Sequence, residues 1–181
     1  MKRSQVRIIG GQWGSRLVRF PETQSLRPTP DRLRETLFNW LGQDLTGKNC
    51  LDLFAGSGAL GFEAASRGAR QVVLIEHNVS VYHALRKTQA LLAAEQVEVH
   101  CADAFSFLKT DLRRFDVVFL DPPFHQGLWP RLLEELPGHL TVDARVYVEA
   151  EELVAVSDAF ELVKQTRAGQ VRGLLIKCRS P

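Results

Sequence analysis

A glycine-rich turn between an apolar segment and a helical segment constrains the fold of this chain more than any other feature. Residues 51–61 read LDLFAGSGALG, with glycines at positions 56, 58 and 61. Glycine lets the backbone turn tightly, and it lets the amides at the start of the following helix approach a ligand closely. The segment therefore predicts a strand, a turn and a helix that together form a ligand site.

From Asn49 onward, short apolar segments alternate with longer segments of helical periodicity, which is typical of a parallel sheet with helices on both faces. The predicted strands are Cys50–Phe54, Gln71–Ile75, Val97–Cys101, Phe115–Leu120 and Arg145–Glu149, and the predicted helices are about 59–67, 80–94, 104–109 and 128–136. Segments 160–166 and 171–178 predict a terminal antiparallel hairpin. The prediction is a Rossmann-like α/β fold whose mostly parallel, seven-stranded sheet ends in that hairpin.

The N-terminal part of the chain differs from the rest in pattern and charge. Segments 6–9 and 16–20 predict a β-hairpin, and Thr29-Pro30 predicts the start of a helix that ends near Leu41. Residues 1–48 hold nine Lys/Arg and four Asp/Glu, a balance of +5, whereas the other 14 Lys/Arg and 17 Asp/Glu give −3. A basic end fits a phosphate-rich partner and equally an ordinary solvated face. We therefore divide the chain into a basic hairpin extension, 1–28, and a main domain, 29–181.

Asp52 helps to identify the ligand of the glycine turn. The three glycines also satisfy the dinucleotide-binding pattern, and Glu76 lies 18 residues after Gly58, near where that pattern places a ribose-binding acid. A pyrophosphate gains nothing from a nearby carboxylate, whereas S-adenosylmethionine carries an ammonium and a sulfonium at its methionine end. Asp52, which directly precedes the turn, therefore favours S-adenosylmethionine. An NAD-dependent oxidoreductase is the more distant alternative.

Two further acids follow predicted strands. Glu76 ends the second strand of the main domain, where its two oxygens could accept hydrogen bonds from both ribose hydroxyls. His77 beside it is either an adenosine contact or an ordinary surface histidine. Asp103 follows the third strand and opens a helix, so it could cap that helix, bind the adenine or do both.

The sequence Asp121-Pro122-Pro123-Phe124 directly follows the fourth apolar segment. Its prolines fix the backbone and leave carbonyls without competing amide donors. The Asp121 carboxylate and the Pro122 carbonyl can accept the two N–H groups of an exocyclic base amine, and Phe124 offers a face for an unstacked base. Such an amine is a poor nucleophile, so holding it in line with a sulfonium methyl group is the main catalytic requirement. The motif resembles the DPPY/NPPY motif of amino-methylating enzymes.

Together these motifs resemble one family, the RsmD-type 16S rRNA guanine-N2 methyltransferases, over nearly the whole chain. The resemblance also rests on segments 7–13 (RIIGGQW), 26–41 (LRPTPDRLRETLFNWL) and 168–171 (AGQV). It implies a class I methyltransferase fold, S-adenosylmethionine as the methyl donor, and transfer to N2 of guanine 966 in small-subunit rRNA, either naked or within an assembled ribosomal particle. An adenine-N6 methyltransferase acting on RNA or DNA is the main alternative.

The resemblance also implies roles for individual residues. The catalytic residues would be Asp121, Pro122 and Phe124. The cofactor contacts would be Asp52, Phe54, Ala55, Gly56, Ser57, Gly58, Glu76, His77, Asp103 and Ala104. The RNA contacts would be Arg7, Arg16 and Arg19 in the hairpin, and Thr29 with Arg32 or Arg34 near the target phosphate or the methionine end of the cofactor.

Other features of the sequence bound the class of protein. The chain lacks the apolar run of a secretory signal and the roughly 18 apolar residues of a membrane span, which predicts a cytoplasmic protein with no membrane partner. Cys50, Cys101 and Cys178 lie in apolar, strand-like segments and are expected to be buried thiols, with no metal site. A monomer is expected. A non-catalytic RNA-binding module is a third reading, which predicts salt-dependent RNA binding without methyl transfer.

Overall fold

The computed structural model describes residues 3–21, 29–123, 127–151 and 154–179. The strands in these ranges are β1 (Arg3–Arg7), β2 (Leu17–Pro21), β3 (Asn49–Asp52), β4 (Gln71–Glu76), β5 (Val97–Cys101), β6 (Phe115–Leu120), β7 (Leu140–Ala150), β8 (Phe160–Ala168) and β9 (Val171–Cys178). The α-helices are α1 (Asp31–Leu41), α2 (Ala59–Ser66), α3 (Val79–Leu92), α4 (Ala104–Thr110) and α5 (Trp129–Glu135). Within these ranges, no helix has both the length and the apolar character that crossing a bilayer would require.

Seven strands form the central sheet, in the order β5-β4-β3-β6-β7-β9-β8. β3 pairs in parallel with β4 and β6, and the parallel pairing continues to β5 on one side and to β7 on the other. β9 pairs antiparallel with both β7 and β8. The predicted α/β fold, with a mostly parallel sheet that ends in an antiparallel hairpin, is confirmed.

Six strands differ from their predicted bounds, and β2, β4 and β8 do so by no more than two residues at either end. β3 ends at Asp52 and not at Phe54, because the next residues already belong to the glycine turn. β7 begins at Leu140 and not at Arg145, because Leu140 pairs with Phe115 across an irregularity in the β6–β7 ladder. β1 covers Arg3–Arg7 where the sequence predicted 6–9, although Ile8 still makes backbone hydrogen bonds with Ser15 and Arg16, just before β2.

Alternate residues of the central strands face opposite sides of the sheet. Cys50 in β3 and Phe119 in β6 belong to the hydrophobic cluster that includes residues of α1, α2 and α3. Their neighbours Leu51 and Leu120 belong to the second cluster, which includes residues of α4 and α5. Both faces of the sheet are therefore covered, as near-continuous apolar strands predict.

β1 and β2 form a separate two-stranded hairpin that packs on the main domain. Its buried side chains belong to the same cluster as those of α2 and α3, and they are Val6, Ile8, Trp13, Val18 and Phe20. The Ser66 hydroxyl at the end of α2 accepts a hydrogen bond from the Trp13 amide at 2.9 Å and donates one to the Gly10 carbonyl at 2.6 Å. The described part of the hairpin extension thus shares a core with the main domain.

Arg34 is a buried structural residue, so Arg32 is the exposed one of the two arginines predicted to lie near the target phosphate or the methionine end of the cofactor. Its side chain has 0% exposure and lies 2.6 Å from Asp31 and 3.5 Å from Glu63. The guanidinium also donates to the backbone carbonyl oxygens of Arg7 at 2.8 Å and Thr29 at 3.3 Å. A buried cation requires such partners, because taking a charge out of water is costly. Arg34 therefore ties α1 to the hairpin and does not reach the surface.

Gly61 lies where α2 crosses the sheet most closely. A Cβ atom at this position would lie 2.1 Å from Leu74 Cδ2 and 3.3 Å from Asp52 Oδ2. Gly61→Ala should therefore lower the free energy of unfolding by about 1–3 kcal/mol, the usual cost of overpacking, as measured by urea denaturation. Gly138→Ala is the matched control, since nothing lies within 4 Å of its added Cβ. Equal stability of the two variants would contradict the close packing at Gly61.

The cysteines only partly match the prediction that they are buried thiols. Cys50 is buried, and burial raises the pKa of its thiol to about 12. Cys101 is exposed at the end of β5, an edge strand of the sheet, and Cys178 is half-buried. The expectation that Cys101 is buried was wrong, because β5 has a neighbouring strand on one side only and its side chains are less covered than those of a central strand.

Candidate active site

The ends of four parallel strands bring four carboxylates to one edge of the sheet. β3, β4, β6 and β7 are neighbours with the same direction, so their carboxyl ends meet. Asp52 and Glu76 end β3 and β4, Asp121 follows β6, and Glu149 lies near the end of β7. We call these four residues the acidic edge. The turns that contain Gly56 and Pro122 therefore open onto the same crevice, which the resemblance requires.

Two glycines in left-handed conformations shape the turn after β3. Gly56 has a φ of 49° and Gly58 a φ of 77°, and a Cβ on Gly58 would lie 2.7 Å from Leu85 Cδ2. The Ala55 amide donates to the Ile75 carbonyl at 2.8 Å, which holds the turn over β4. The Ser57 hydroxyl accepts from the Ala59 amide at 3.3 Å, and Phe54 is half-buried in the second cluster. All five predicted cofactor residues of this turn thus lie together beside the acidic edge.

Asp52 is buried beneath the turn, with 2% exposure. Its Oδ2 accepts a hydrogen bond from the Gly61 amide at 3.1 Å, so the carboxylate faces the first turn of α2. Burial, together with the charges of the nearby Glu76 and Glu149, raises the pKa of Asp52 to about 7 against the lowering effect of the Gly61 amide. A cationic ligand would remove this cost of burying a negative charge.

Glu76 connects the glycine turn to the loop after β4. Its Oε2 accepts from the Gly56 amide at 3.0 Å, and its Oε1 accepts from the Asn78 amide at 2.7 Å. Each carboxylate oxygen can accept a second hydrogen bond, so a ribose hydroxyl could still bind to each. His77 lies with Nδ1 3.4 Å from Oε1, and its side chain is 74% exposed. This exposure leaves room for an adenosine contact at the rim.

Asp103 caps α4, as one of its two predicted roles requires. Its Oδ1 accepts from the Ser106 amide at 2.9 Å and from the Ser106 hydroxyl at 3.2 Å. The side chain is exposed, whereas Ala104 behind it is buried. The cap fixes the Asp103 carboxylate at the end of β5, on the same edge of the sheet as Glu76.

Asp121 and Pro122 directly follow β6, next to the glycine turn. Asp121 is half-buried and Pro122 is buried, while Phe124 lies outside the described residues. Burial raises the pKa of Asp121 well above its usual range, and the charges of Glu149 and Asp52 add to this rise. The side chain is thus an acceptor whose affinity for protons is unusually high for a carboxylate.

Glu149 is a member of the acidic edge to which the sequence analysis assigned no role. Its side chain is 3% exposed, and its Oε2 accepts from the Tyr147 hydroxyl at 3.1 Å. Thr29, a predicted RNA contact, is buried and hydrogen-bonded to Glu149 through its hydroxyl. The sequence did contain a signal for Glu149, because this glutamate interrupts the apolar segment 146–150. Glu76 stands at the end of the apolar strand β4 in the same way.

The remaining predicted RNA residues lie on the surface. Arg7, Arg16 and Arg19 are exposed on the hairpin, and Arg32 is exposed on α1. The register pairs Arg7 with Leu17, and Gln5 with Arg19. The side chains of Arg7 and Arg19 therefore lie on the same, outer face of the hairpin. This face is available to a phosphate backbone.

The acidic edge favours a cationic ligand over an anionic one. Four carboxylates in a crevice repel a pyrophosphate and attract an ammonium or a sulfonium. The Gly56 amide, which a dinucleotide site would direct toward a phosphate, donates instead to Glu76. In the described part of the chain, no group of three or more His, Cys, Asp or Glu residues could hold a metal ion.

Comparisons with known proteins agree with this geometry. The sequence matches the protein family described as Conserved hypothetical protein 95 over residues 6–177. It is 45% identical over 172 residues to the ribosomal RNA small subunit methyltransferase D of Escherichia coli strain K12, covering 92% of this chain and 87% of the relative. The solved structure of the Escherichia coli protein yhhF superposes with a TM-score of 0.88 at 40% identity, covering 97% of this chain and 98% of that chain.

A more distant structure shares the fold. It is the T. thermophilus 16S rRNA N2 G1207 methyltransferase RsmC in complex with AdoMet and guanosine. The TM-score is 0.75 at 23% identity, with 98% of this chain and 50% of that chain covered.

Proposed function

This chain belongs to the RsmD-type family of ribosomal RNA small subunit methyltransferases, and from that premise we propose that it methylates N2 of guanine 966 in 16S rRNA with S-adenosylmethionine as the donor. The observation that carries the proposal is the side-by-side pairing of β3 and β6. It brings the glycine turn after Asp52 next to Asp121 and Pro122. A methyl donor bound at the first turn would therefore lie beside a base amine bound at the second.

In the proposed reaction, Asp52 and Glu76 bind the methyl donor, and the DPPF motif binds the base. S-adenosylmethionine supplies a methyl group on a positively charged sulfur. Asp52 lowers the electrostatic energy of a cation above the glycine turn, and Glu76 is placed to accept from the ribose. Asp121 and the Pro122 carbonyl accept the two amine hydrogens, which holds the nitrogen in line for attack. Phe124 supports the base by stacking in this proposal.

The alternative of an NAD-dependent oxidoreductase is wrong for this chain. The family consists of methyltransferases by the names of its relatives, and the acidic edge opposes a pyrophosphate. A non-catalytic RNA-binding module has no use for the buried carboxylates behind the glycine turn. Both readings relied on features, the glycine spacing and the basic N-terminal part, that a methyltransferase of RNA also needs.

Glu76→Ala should weaken S-adenosylmethionine binding by about 10-fold or more, because two hydrogen bonds from the ribose to a charged acceptor are lost. Isothermal titration calorimetry on the purified protein measures the dissociation constant. Glu95→Ala, an exposed acid after α3, is the control and should bind as the wild type does. A dissociation constant that is unchanged in Glu76→Ala would show that the ribose lies elsewhere.

Arg19→Ala should weaken RNA binding and reduce the slope of log K against log salt by about one unit, if Arg19 contacts one phosphate. The hairpin face that holds Arg7 and Arg19 is the proposed RNA surface, together with Arg16 and Arg32. Filter binding to a small-subunit rRNA fragment at several salt concentrations measures both quantities. Lys109→Ala, on the exposed side of α4, removes one positive charge elsewhere and should leave the slope unchanged.

Mass mapping of rRNA nucleosides tests the proposed reaction directly. A strain that lacks this protein should lack N2-methylguanosine at position 966, and the purified enzyme with labelled S-adenosylmethionine should restore it. Naked 16S rRNA and assembled small subunits from that strain are compared as substrates. Appearance of N6-methyladenosine would instead favour the adenine enzyme, and absence of any labelled product on both substrates would refute the proposal.

A further inference from the structure

Glu149 is a buried carboxylate beside the reacting groups, and neither the glycine turn nor the DPPF motif contains it. The parallel register of β6 and β7 pairs Leu120 with Val148, so Glu149 stands level with Asp121 on the adjacent strand. On its other side, Glu149 pairs with Gly173 of β9, which carries no charge. Of the residues level with Glu149 on the two adjacent strands, Asp121 is ionisable and Gly173 is not.

The donors to Glu149 are hydroxyl groups, which stabilise a carboxylate without neutralising it. The Tyr147 hydroxyl donates at 3.1 Å, and the Thr29 hydroxyl also bonds to the carboxylate. The Tyr147 ring is held closely, since a Cβ on Gly173 would lie 2.9 Å from its hydroxyl oxygen. The positive charge of Arg34 lowers the pKa of Glu149, but the Arg34 guanidinium forms its ion pairs with Asp31 and Glu63.

The charges of the acidic edge act on one another. Burial raises the pKa of Glu149 to about 7, against the lowering effects of Thr29, Tyr147 and Arg34. Burial is the main cause of the raised pKa of Asp121. The negative charges of Glu149 and Asp52 raise that pKa further, and the charge of Glu149 has the larger effect of the two. A like charge at this distance makes a carboxylate a stronger proton acceptor.

We propose that Glu149 is a positioning residue whose buried negative charge prepares Asp121 to take the proton that the base amine loses on methylation. The inference rests on the proposed function. The lone pair of the amine nitrogen forms a bond to the methyl carbon while the sulfur–carbon bond breaks. The electron pair of the broken bond stays on sulfur. An N–H bond breaks, its electron pair returns to nitrogen, and its proton passes to a carboxylate oxygen of Asp121. One positive and one negative charge disappear together, and the half-buried Asp121 then releases the proton to water.

The pH profile of kcat distinguishes this role from a structural one. Asp121 must be ionised to accept the proton, so kcat rises with pH through its pKa in the bound complex. Glu149→Gln removes the neighbouring charge but keeps an oxygen that can accept from Tyr147. In this variant, the rising acidic limb of the kcat–pH profile should move to lower pH by about one unit. The plateau value of kcat should fall about threefold, because Asp121 becomes a weaker base. The rates are measured at saturating S-adenosylmethionine and rRNA fragment, from about pH 5.5 to 9.

Two variants serve as controls. Asp143→Asn removes an exposed carboxylate from the opposite end of β7 and should leave the limb in place. Glu149→Asp keeps the charge and should keep the limb within about 0.3 unit of the wild type. If Glu149→Gln is too slow to profile, recovery of activity by Glu149→Asp supports the proposal and its failure to recover overturns it.

An unmoved acidic limb in an active Glu149→Gln enzyme would also overturn the inference. The proposed function would survive that result, because the wild-type enzyme would still methylate rRNA. Absence of methylation by the wild type would instead refute the proposed function itself, so the two failures are distinguishable.

Discussion

Replacing Asp121 with alanine should lower the rate of methyl transfer to rRNA by about 100- to 10,000-fold, the range expected when a positioned acceptor at the reacting atom is lost. The affinity for S-adenosylmethionine should change far less, because Asp52 and Glu76 remain in place beneath and beside the glycine turn. The lost interaction is one that the substrate amine needs most in the transition state. Its removal therefore lowers kcat more than it raises KM.

Single-turnover transfer of a labelled methyl group to a 16S rRNA fragment measures the rate, and calorimetry measures donor binding. Asp121→Asn separates charge from geometry, since the amide keeps one oxygen acceptor but cannot take a proton. We expect the rate of this variant to lie between those of the wild type and Asp121→Ala, because it keeps an acceptor for the amine and loses the proton acceptor. Asp143→Ala is the control for the loss of one carboxylate and should retain the wild-type rate. Full turnover by Asp121→Ala would remove Asp121 from the mechanism.

The glycine turn and the residues after β6 could be located from the sequence because each is a local signal. Gly56 and Gly58 are needed where the backbone adopts positive φ, and Pro122 can only follow a strand that has ended. That both turns lie on the same side of the sheet also follows from a general rule, since parallel sheets place their ligand sites at the carboxyl ends of the strands. These parts of the site required no knowledge of tertiary contacts.

Burial of charged residues could not be predicted in the same way. Arg32 and Arg34 lie two residues apart in the sequence, yet in α1 the side chain of Arg34 is buried and that of Arg32 is exposed to solvent. Glu149 ends an apolar predicted strand, but its place beside Asp121 follows from the register between β6 and β7. Both depend on long-range pairing, which a single sequence does not contain. The acidic edge is therefore visible only once the sheet is assembled.

Helix α2 links the proposed RNA surface to the cofactor turn. Its first turn holds Asp52 through the Gly61 amide, and its last turn holds the hairpin through Glu63 and Ser66. Gly61 and Ser66 are five residues apart in α2, so these contacts are separated by less than about one and a half helical turns. A change that frees the hairpin from α2 should therefore affect the whole fold, because the hairpin shares the core of the main domain.

Glu63 is the residue on which this link depends most. Its Oε2 accepts from the Ile9 amide at 2.7 Å, and its Oε1 accepts from the Gly10 amide at 2.8 Å. It also pairs with Arg67 at 2.8 Å and with Arg34 at 3.5 Å, and the Glu63 side chain has 0% exposure. One carboxylate thus satisfies two backbone donors and two buried cations.

Glu63→Gln should lower the free energy of unfolding by about 3 kcal/mol or more, because it removes the counter-charge of the buried Arg67 guanidinium, leaves Arg34 with the exposed Asp31 as its partner, and turns an amide donor toward other donors. Urea denaturation followed by circular dichroism measures the loss. Glu135→Gln is the matched control, since Glu135 pairs with Arg131 at the same four-residue spacing but with both side chains partly exposed. That exposed pair should contribute less than about 1 kcal/mol. If the two variants lose equal stability, the Glu63 network does not hold the hairpin to α2, and the hairpin must be retained by its apolar side chains and its hydrogen bonds to Ser66.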